Sequence, residues 1–168
     1  LNVVALRRLR GESIVVPNSY CYSCNNRIKW YDNVPALSYL LLRGKCRHCK
    51  SEFSWVYWVV EFSMIWLFAG SFWIIGLSGE LVFTLVFISL LMTITITDLK
   101  EMLIPNRVLL EFGIILIPLS FWYSPVTLME QFIGFGIVFV LFFLIFVATK
   151  GKGMGGGDFK LFLLIGFL

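Results

Sequence analysis

Four apolar runs dominate the chain from residue 53 onward. Residues 55–77 carry one charge, Glu61, and residues 81–97 carry none. Residues 108–128 carry only Glu111, and residues 132–149 are again uncharged. A helix that crosses a bilayer needs about 20 predominantly apolar residues, with a range of roughly 17–25. Each run therefore predicts a membrane-spanning helix. Shorter apolar stretches lie at 1–6 and 159–168. The chain opens on Leu1 and closes inside the second of these, so both are expected to be pieces of truncated membrane helices. A cut signal peptide at 1–6 is disfavoured, because no small-residue cleavage site follows it. The expected fold class is all-α, a polytopic transmembrane helical bundle with one small water-soluble loop domain. Its expected parts are 1–6 (the end of a first helix), 7–52 (the loop) and 53–168 (the membrane-embedded core).

Composition agrees with this reading and narrows it. Of 168 residues, 59% are apolar and only 14% are charged, with 17 Phe and 6 Trp. Soluble domains average about 45–50% apolar and about 25% charged. A core of this size cannot hide so many rings from water, so the excess faces lipid. Disordered, collagen-like and disulfide-framework chains are excluded by the same figures. The net charge of +4 points to nucleic acid only until the basic residues are placed. Nine lie between Arg7 and Lys50, and the other five are Lys100, Arg107, Lys150, Lys152 and Lys160. The two opposite turns, 78–80 and 129–131, contain none. This asymmetry puts the long loop, the Asp98 loop and the loop before Asp158 on the cytoplasmic side. An anionic inner leaflet is a sufficient partner for the basic residues, and no nucleic acid is expected.

The loop 7–52 has 46 residues, too few for a stable core without a staple. Two knuckles, Cys21-Tyr22-Ser23-Cys24 and Cys46-Arg47-His48-Cys49, stand 21 residues apart and supply one. Four thiolates at this spacing match the tetrahedral shell of structural zinc. Disulfides do not persist in the reducing compartment the topology assigns. Pro17, Pro35 and Gly44 leave no room for a thioredoxin-like strand–helix unit. The metal ligands expected are Cys21, Cys24, Cys46 and Cys49, with His48 a surface residue between two of them.

Candidate chemistry lies at the same membrane face. Asp98 closes the second spanning run, and Asp158 follows Gly155-Gly156-Gly157 and opens the last helix. Ionisable groups at a membrane boundary are functional candidates by default. Two carboxylates brought together in a partly desolvated site share a proton. An aspartic protease uses that state: one carboxylate activates water while the other, protonated, polarises the scissile carbonyl. The helices that carry the pair are expected to pack side by side. The alternative is that Asp158 caps its helix and Asp98 is an interfacial polar residue. Three glycines exceed what a cap needs; they allow positive φ and close approach of an extended peptide. Residues 151–156 also satisfy G-x-G-x-x-G, but a membrane helix precedes them instead of a buried strand, so a dinucleotide site is rejected. Glu61 and Glu111 lie near the cytoplasmic ends of their helices. They either reach the headgroups or line the site beside the aspartates.

With these residues in view, the chain resembles the bacterial type IV prepilin peptidases, relatives of the GxGD aspartic membrane proteases. The resemblance is carried by Arg10-Gly11-Glu12-Ser13-Ile14, Pro17 and Ser19 ahead of the first knuckle, and by Trp30-Tyr31-Asp32-Asn33-Val34-Pro35. It continues through Leu42-Arg43-Gly44-Lys45-Cys46 and Val59-Val60-Glu61. The two aspartate motifs complete it: Asp98 with Ile104-Pro105-Asn106, and Gly155-Gly156-Gly157-Asp158 with Lys160. The resemblance implies a bifunctional enzyme of the bacterial inner membrane. It implies cleavage of the basic leader of prepilins and pseudopilins, after Gly, at the cytoplasmic face. It also implies N-methylation of the new amino terminus with S-adenosylmethionine. Asp98 and Asp158 are then catalytic, with Gly155, Gly156, Gly157, Glu61 and Lys160 in support. The cysteine loop is associated with methyl transfer, though it holds no Gly-rich methyltransferase motif and no residue can be matched to the cofactor. Competing readings are a presenilin-like intramembrane protease, whose carboxylates sit deeper, and a non-enzymatic zinc-ribbon membrane adaptor. A transporter is disfavoured by the uncharged runs 81–97 and 132–149.

Overall fold

The computed structural model describes residues 5, 7, 20–21, 23–34, 37–124, 126–150 and 155–168. The loop motif residues 10–19, most of the stretch 1–6 and the first part of the glycine run, 151–154, lie outside these. Six α-helices are described: α1 (Leu37–Leu41), α2 (Trp55–Ile75), α3 (Gly79–Glu101), α4 (Asn106–Tyr123), α5 (Leu128–Ala148) and α6 (Gly156–Phe167). A short 3₁₀ turn covers Trp30–Asn33. Among the described residues there is no strand, only two isolated antiparallel bridges. The chain is all-helical, and α2 to α5 are each long and apolar enough to cross a membrane.

Local chemistry sets the helix ends. The Ser54 hydroxyl accepts from the Val56 N–H at the start of α2, and Gly76 ends that helix at φ +72°, a conformation glycine adopts without strain. Ser78 caps α3. Thr127 and Glu130 form a reciprocal capping box at α5.

Two helix ends differ from the apolar runs. The second run stops at Thr97, yet α3 continues through Asp98 and Lys100 to Glu101. Charge stops a hydropathy run, but it does not stop a helix that has reached the headgroup layer. The third run reaches residue 128, yet α4 ends at Tyr123. Ser124 precedes a proline, which steers it out of the helical region to φ −71°, ψ 137°. An apolar turn therefore lies hidden inside an apolar run.

The inner pair of helices is α3 and α4, packed as an antiparallel hairpin around Phe83, Leu90, Ile94, Val108, Leu109 and Leu116. Leu161 and Leu164 of α6 lie against this cluster. On the other side α2 joins α3 through Val60 and Ile96, with Ala5 buried against them. Buried Thr93 and Thr97 satisfy their hydroxyls on the carbonyls of Ser89 (2.7 Å) and Ile94 (2.9 Å) within the same helix. The last hairpin, α5 with α6, crosses closely at glycines: a Cβ on Gly134 would lie 2.5 Å from the Gly166 carbonyl oxygen. Small residues allow such approach where lipid supplies no hydrophobic drive between helices. Large apolar side chains cover the outer surface, Trp73 and Ile74 almost entirely exposed. Water would not tolerate that surface; lipid does, and the chain is a multi-pass membrane protein.

Candidate active site and metal centre

Asp98 stands in the last turn of α3, where its carbonyl accepts the Met102 N–H at 2.8 Å, and its side chain is exposed. Met102 adopts the left-handed conformation (φ 50°) that ends the helix, and Pro105 leads into α4. Asp158 is the third residue of α6 and half-buried. It is not the cap of that helix: the N-cap is Gly155, which makes no side-chain cap bond. The Asp158 carboxylate turns back over Gly155, where a Cβ would lie 2.9 Å from Oδ2.

The glycine run works by close approach. Gly155 sits at φ −70°, Gly156 and Gly157 are helical, and among the described glycines only Gly44 and Gly76 use positive φ. A Cβ on Gly157 would stand 2.9 Å from the Ile104 Cβ and 3.3 Å from its carbonyl oxygen. Gly156 faces open space. Three residues beyond Gly157, Lys160 Nζ donates to Asn106 Oδ1 at 2.9 Å. The segment that carries Asp158 thus rests on the loop that follows Asp98, at one end of the bundle. The aspartate helices do not themselves pack along their lengths. α4 lies between them and touches both. The two motifs therefore meet at the Ile104-Pro105-Asn106 segment, not through a side-by-side helix pair.

Glu61 lies in the second turn of α2, which packs on α3, and Glu111 lies in the second turn of α4; both are half-buried. Below the Lys160–Asn106 hydrogen bond a groove of about 640 Å³ opens between α4 and α6. Its walls are Leu109, Leu110, Ile114, Ile117 and Leu164, with Gly113 at its floor. Pro118, at its far end, leaves the Ile114 carbonyl without its usual intrahelical donor.

The four cysteines converge. Their sulfur atoms all lie within 4.8 Å of one another, with Cys21 Sγ and Cys49 Sγ at 3.8 Å. A tetrahedral zinc with Zn–S bonds of about 2.3 Å requires S···S separations of about 3.8 Å, so the set fits the ion. The two knuckles share one construction. In each, the residue after the second cysteine takes positive φ (Asn25 54°, Lys50 60°) and donates its N–H to the first cysteine's carbonyl. Each hairpin is closed by a bridge, Tyr20 with Arg27 and Lys45 with Glu52. Burial pushes the Cys21 thiol up, but hydrogen bonds from the Ser51 hydroxyl and the Ser23 and Cys24 backbone outweigh it, bringing it down to about 6. The Asn26 backbone pulls Cys24 down, yet burial and the other three sulfurs raise it to about 11. A readily ionised sulfur at Cys21 thus stands against one at Cys24 that resists ionising beside it, a conflict a divalent cation relieves. Ser51, which sequence reasoning passed over, touches both Cys21 Sγ (3.6 Å) and Cys49 Sγ (3.0 Å). Arg47, inside the second knuckle, holds Asp32 in a bidentate pair at 2.6 and 2.9 Å, tying the 3₁₀ turn to the metal site. That guanidinium keeps the Asp32 carboxyl below the usual carboxylate range against the opposing effect of burial.

Comparison with known proteins matches two family descriptions to the chain. Residues 1–75 match the family described as Bacterial Peptidase A24 N-terminal domain, and residues 85–168 match the Type IV leader peptidase family. The chain is similar to the prepilin leader peptidase/N-methyltransferase of Bacillus subtilis, 38% identical over 93% of this chain and 62% of that protein. The Vibrio cholerae protein of the same name is 40% identical over 89% of this chain and 61% of its own length. That of Pseudomonas putida is 32% identical over 91% and 54% respectively. The chain thus spans about three fifths or less of the length of these relatives. No solved structure matches it. With both aspartate motifs inside the matched residues, the chain belongs to the Type IV leader peptidase family.

Proposed function

We propose that this chain carries the peptidase centre of a prepilin leader peptidase, an aspartic endopeptidase acting at the cytoplasmic face of the bacterial inner membrane. The observation that carries the proposal is the meeting of the two aspartate motifs at one end of the bundle, through Gly157 on Ile104 and Lys160 on Asn106. In this reading water is held between Asp98 and Asp158. The ionised carboxylate takes a proton as the water oxygen attacks the scissile carbonyl carbon. The protonated carboxyl gives its proton to the carbonyl oxygen. The tetrahedral diol collapses with loss of the C–N bond: the amine leaves with a proton from the carboxyl that first received one, and the other carboxylate takes back a proton from a diol hydroxyl as the new carboxyl group forms. The open space at Gly156 leaves room for an extended backbone. The groove between α4 and α6 accepts the apolar helix that follows the leader of a prepilin or pseudopilin.

Cleavage near the interface, not deep in the bilayer, follows from Asp98 standing at a helix end. This separates the reading from a presenilin-like protease. The basic residues gathered at the Asp98 and Asp158 end support the cytoplasmic orientation. Cys21, Cys24, Cys46 and Cys49 hold zinc as a structural clamp; four sulfur ligands leave no open coordination position for chemistry. The second activity in the relatives' names, methyl transfer to the new amino terminus from S-adenosylmethionine, is extended to this protein from those names alone.

The test is leader cleavage of a synthetic prepilin in liposomes by the enzyme and its Asp98→Asn and Asp158→Asn variants, with zinc content measured in each. Loss of cleavage in both at unchanged zinc supports the dyad. Retained cleavage in either removes the aspartic mechanism and returns the chain to a zinc-clamped membrane adaptor.

A further inference from the structure

We propose that Asn106 is a positioning residue of the peptidase, acting through Lys160 to set the rotation of α6 and so the direction of the Asp158 carboxylate. The inference rests on the aspartic reading above and adds to it a part for a residue that does not itself touch the reacting atoms.

Both side chains forgo their ordinary roles. An Asn at a helix start commonly caps its own helix. Asn106 is the first residue of α4, behind the N-cap Pro105, which makes no side-chain cap bond. Its amide oxygen accepts from a cation 54 residues away. A lysine at a membrane boundary commonly extends toward lipid headgroups. Lys160, although exposed, is turned onto Asn106 instead.

Geometry says what the bond controls. Gly157 and Lys160 are three residues apart and share one face of α6, and both meet the 104–106 segment. Two anchors on one face fix the helix against rotation about its own axis. Gly157 contributes only a backbone contact and Leu161 and Leu164 pack as apolar surfaces on the α3–α4 core, so the directional contact at this end is the Lys160 hydrogen bond. Asp158 leaves the helix one residue, about 100°, on from Gly157. Side chains reach about 5–6 Å from a helix axis, so a roll of about 10° displaces a carboxylate by about 1 Å. A misplacement of that size costs on the order of 100-fold in rate where catalysis depends on orientation. The packing of α6 on α5, through Phe159 on Phe142 and Gly166 at Gly134, sets its distance from α5. The face that α6 turns toward the Asp98 loop is set at the Asn106 end.

The experiment is a double-mutant cycle on cleavage in liposomes, with Asn106→Leu, Lys160→Met and the pair together, and Asn106→Asp as the rescue. Asn106→Leu and Lys160→Met are each expected to lower kcat by about 10- to 100-fold with KM within about threefold. The double variant is expected to be no slower than the worse single one. Asn106→Asp, which keeps an acceptor of the same reach, is expected to stay within about threefold of the parent. Thermal unfolding and zinc content identify any variant that has not folded; if Asn106→Leu fails on that count, Lys160→Met, which removes the same hydrogen bond from its other end, decides the proposal, and its cleavage within threefold of the parent overturns it. Cleavage by Asn106→Leu within threefold of the parent overturns the proposal. So does a double variant whose loss is the product of the single losses, or an Asn106→Asp variant as slow as Asn106→Leu. Asp158→Asn is run alongside: if it still cleaves, the aspartic reading has failed, whereas its loss beside an unaffected Asn106→Leu sinks the positioning inference alone.

Discussion

Replacing Gly157 by alanine tests whether close approach at the Ile104 contact matters to the chemistry. The added Cβ would stand 2.9 Å from the Ile104 Cβ and 3.3 Å from its carbonyl oxygen. Ordinary carbon–carbon contact lies at about 3.5–4.0 Å, so the two segments must separate by roughly 0.6–1.1 Å. The obstacle is a Cβ and a backbone oxygen, and neither can swing away as the end of a long side chain would. Alanine gains about 0.5–1 kcal/mol of helix propensity over glycine, which offsets part of the steric cost, so overall stability changes little. The site does not share that compensation. A shift of about 1 Å between the Asp158 turn and the Asp98 loop is worth on the order of 100-fold, or about 2.7 kcal/mol of transition-state stabilisation. Cleavage of a leader peptide substrate in liposomes, followed over substrate concentration, should show kcat falling about 100-fold with zinc retained. Gly136→Ala is the control. Nothing lies within 4 Å of a Cβ at Gly136, in the middle of α5, so that variant keeps full activity. If Gly157→Ala retains kcat within threefold, contact at Ile104 does not position the site.

Gly156→Ala separates the other use proposed for the glycine run. Its Cβ meets nothing in the protein, so a rise in KM of about tenfold at unchanged kcat marks a bound peptide there, and an unchanged KM places the peptide elsewhere. Ser51→Ala removes a hydroxyl that touches two of the four sulfurs and is expected to weaken zinc binding about tenfold in chelator competition. An unchanged affinity makes that contact incidental. Asp32→Asn should lower the unfolding temperature of the loop at pH 7. Because Arg47 depresses the Asp32 pKa, its stabilising effect is fully present above the ordinary carboxylate value near 4 and is lost as pH falls through the folded value. The difference between parent and variant should therefore shrink as pH drops below about 4. A difference that persists there identifies packing, not charge, as the cause.

The membrane architecture was legible because each apolar run must satisfy the bilayer alone, without reference to the rest of the chain. Its boundaries were less so. Hydropathy ended the second helix at Thr97 because the next residue is charged, whereas the backbone continued to Glu101 until Met102 turned left-handed. It also merged residues 124–128 with α4, although the proline after Ser124 carried a local signal that the run ended there. The metal loop was readable from cysteine spacing alone, since ligand count and knuckle geometry are local properties. The candidate site was readable only as two motifs. Nothing in the spacing says that Asn106 would meet Lys160, or that Gly157 would be the glycine pressed on Ile104 while Gly156 stays open. Those choices depend on the rotation of one helix against another. Packing around Val108, Leu109 and Leu164 brings α6 against α4, and which face meets the Asp98 loop is not encoded in the spacing of the motifs.

Whether the zinc loop and the aspartate site act as one unit turns on how firmly they are joined. A chain of contacts runs between them. The Lys45–Glu52 bridge and the Phe53 N–H on the Gly44 carbonyl (2.7 Å) seat the second knuckle on the start of α2. In the first turn of α2, Tyr57 accepts a hydrogen bond from Lys100 at 3.1 Å, with the ammonium 4.8 Å from the ring centre. Lys100 lies two residues beyond Asp98. The last link is one side-chain hydrogen bond, and neither helix depends on it for its place. The helices beneath it are held otherwise: α2 has its own Ser54 cap and packs on α3 through Val60 and Ile96. The Asp98 end should therefore keep its place when the metal is withdrawn. Removing zinc with a chelator, or replacing Cys24 by serine, is expected to loosen the loop while cleavage falls by less than about threefold. Tyr57→Phe, which keeps the ring but not the hydroxyl, should behave the same way. Cleavage that declines in step with zinc content would mean that the loop contributes directly to the geometry around Asp98, through contacts stronger than the exposed Tyr57–Lys100 pair.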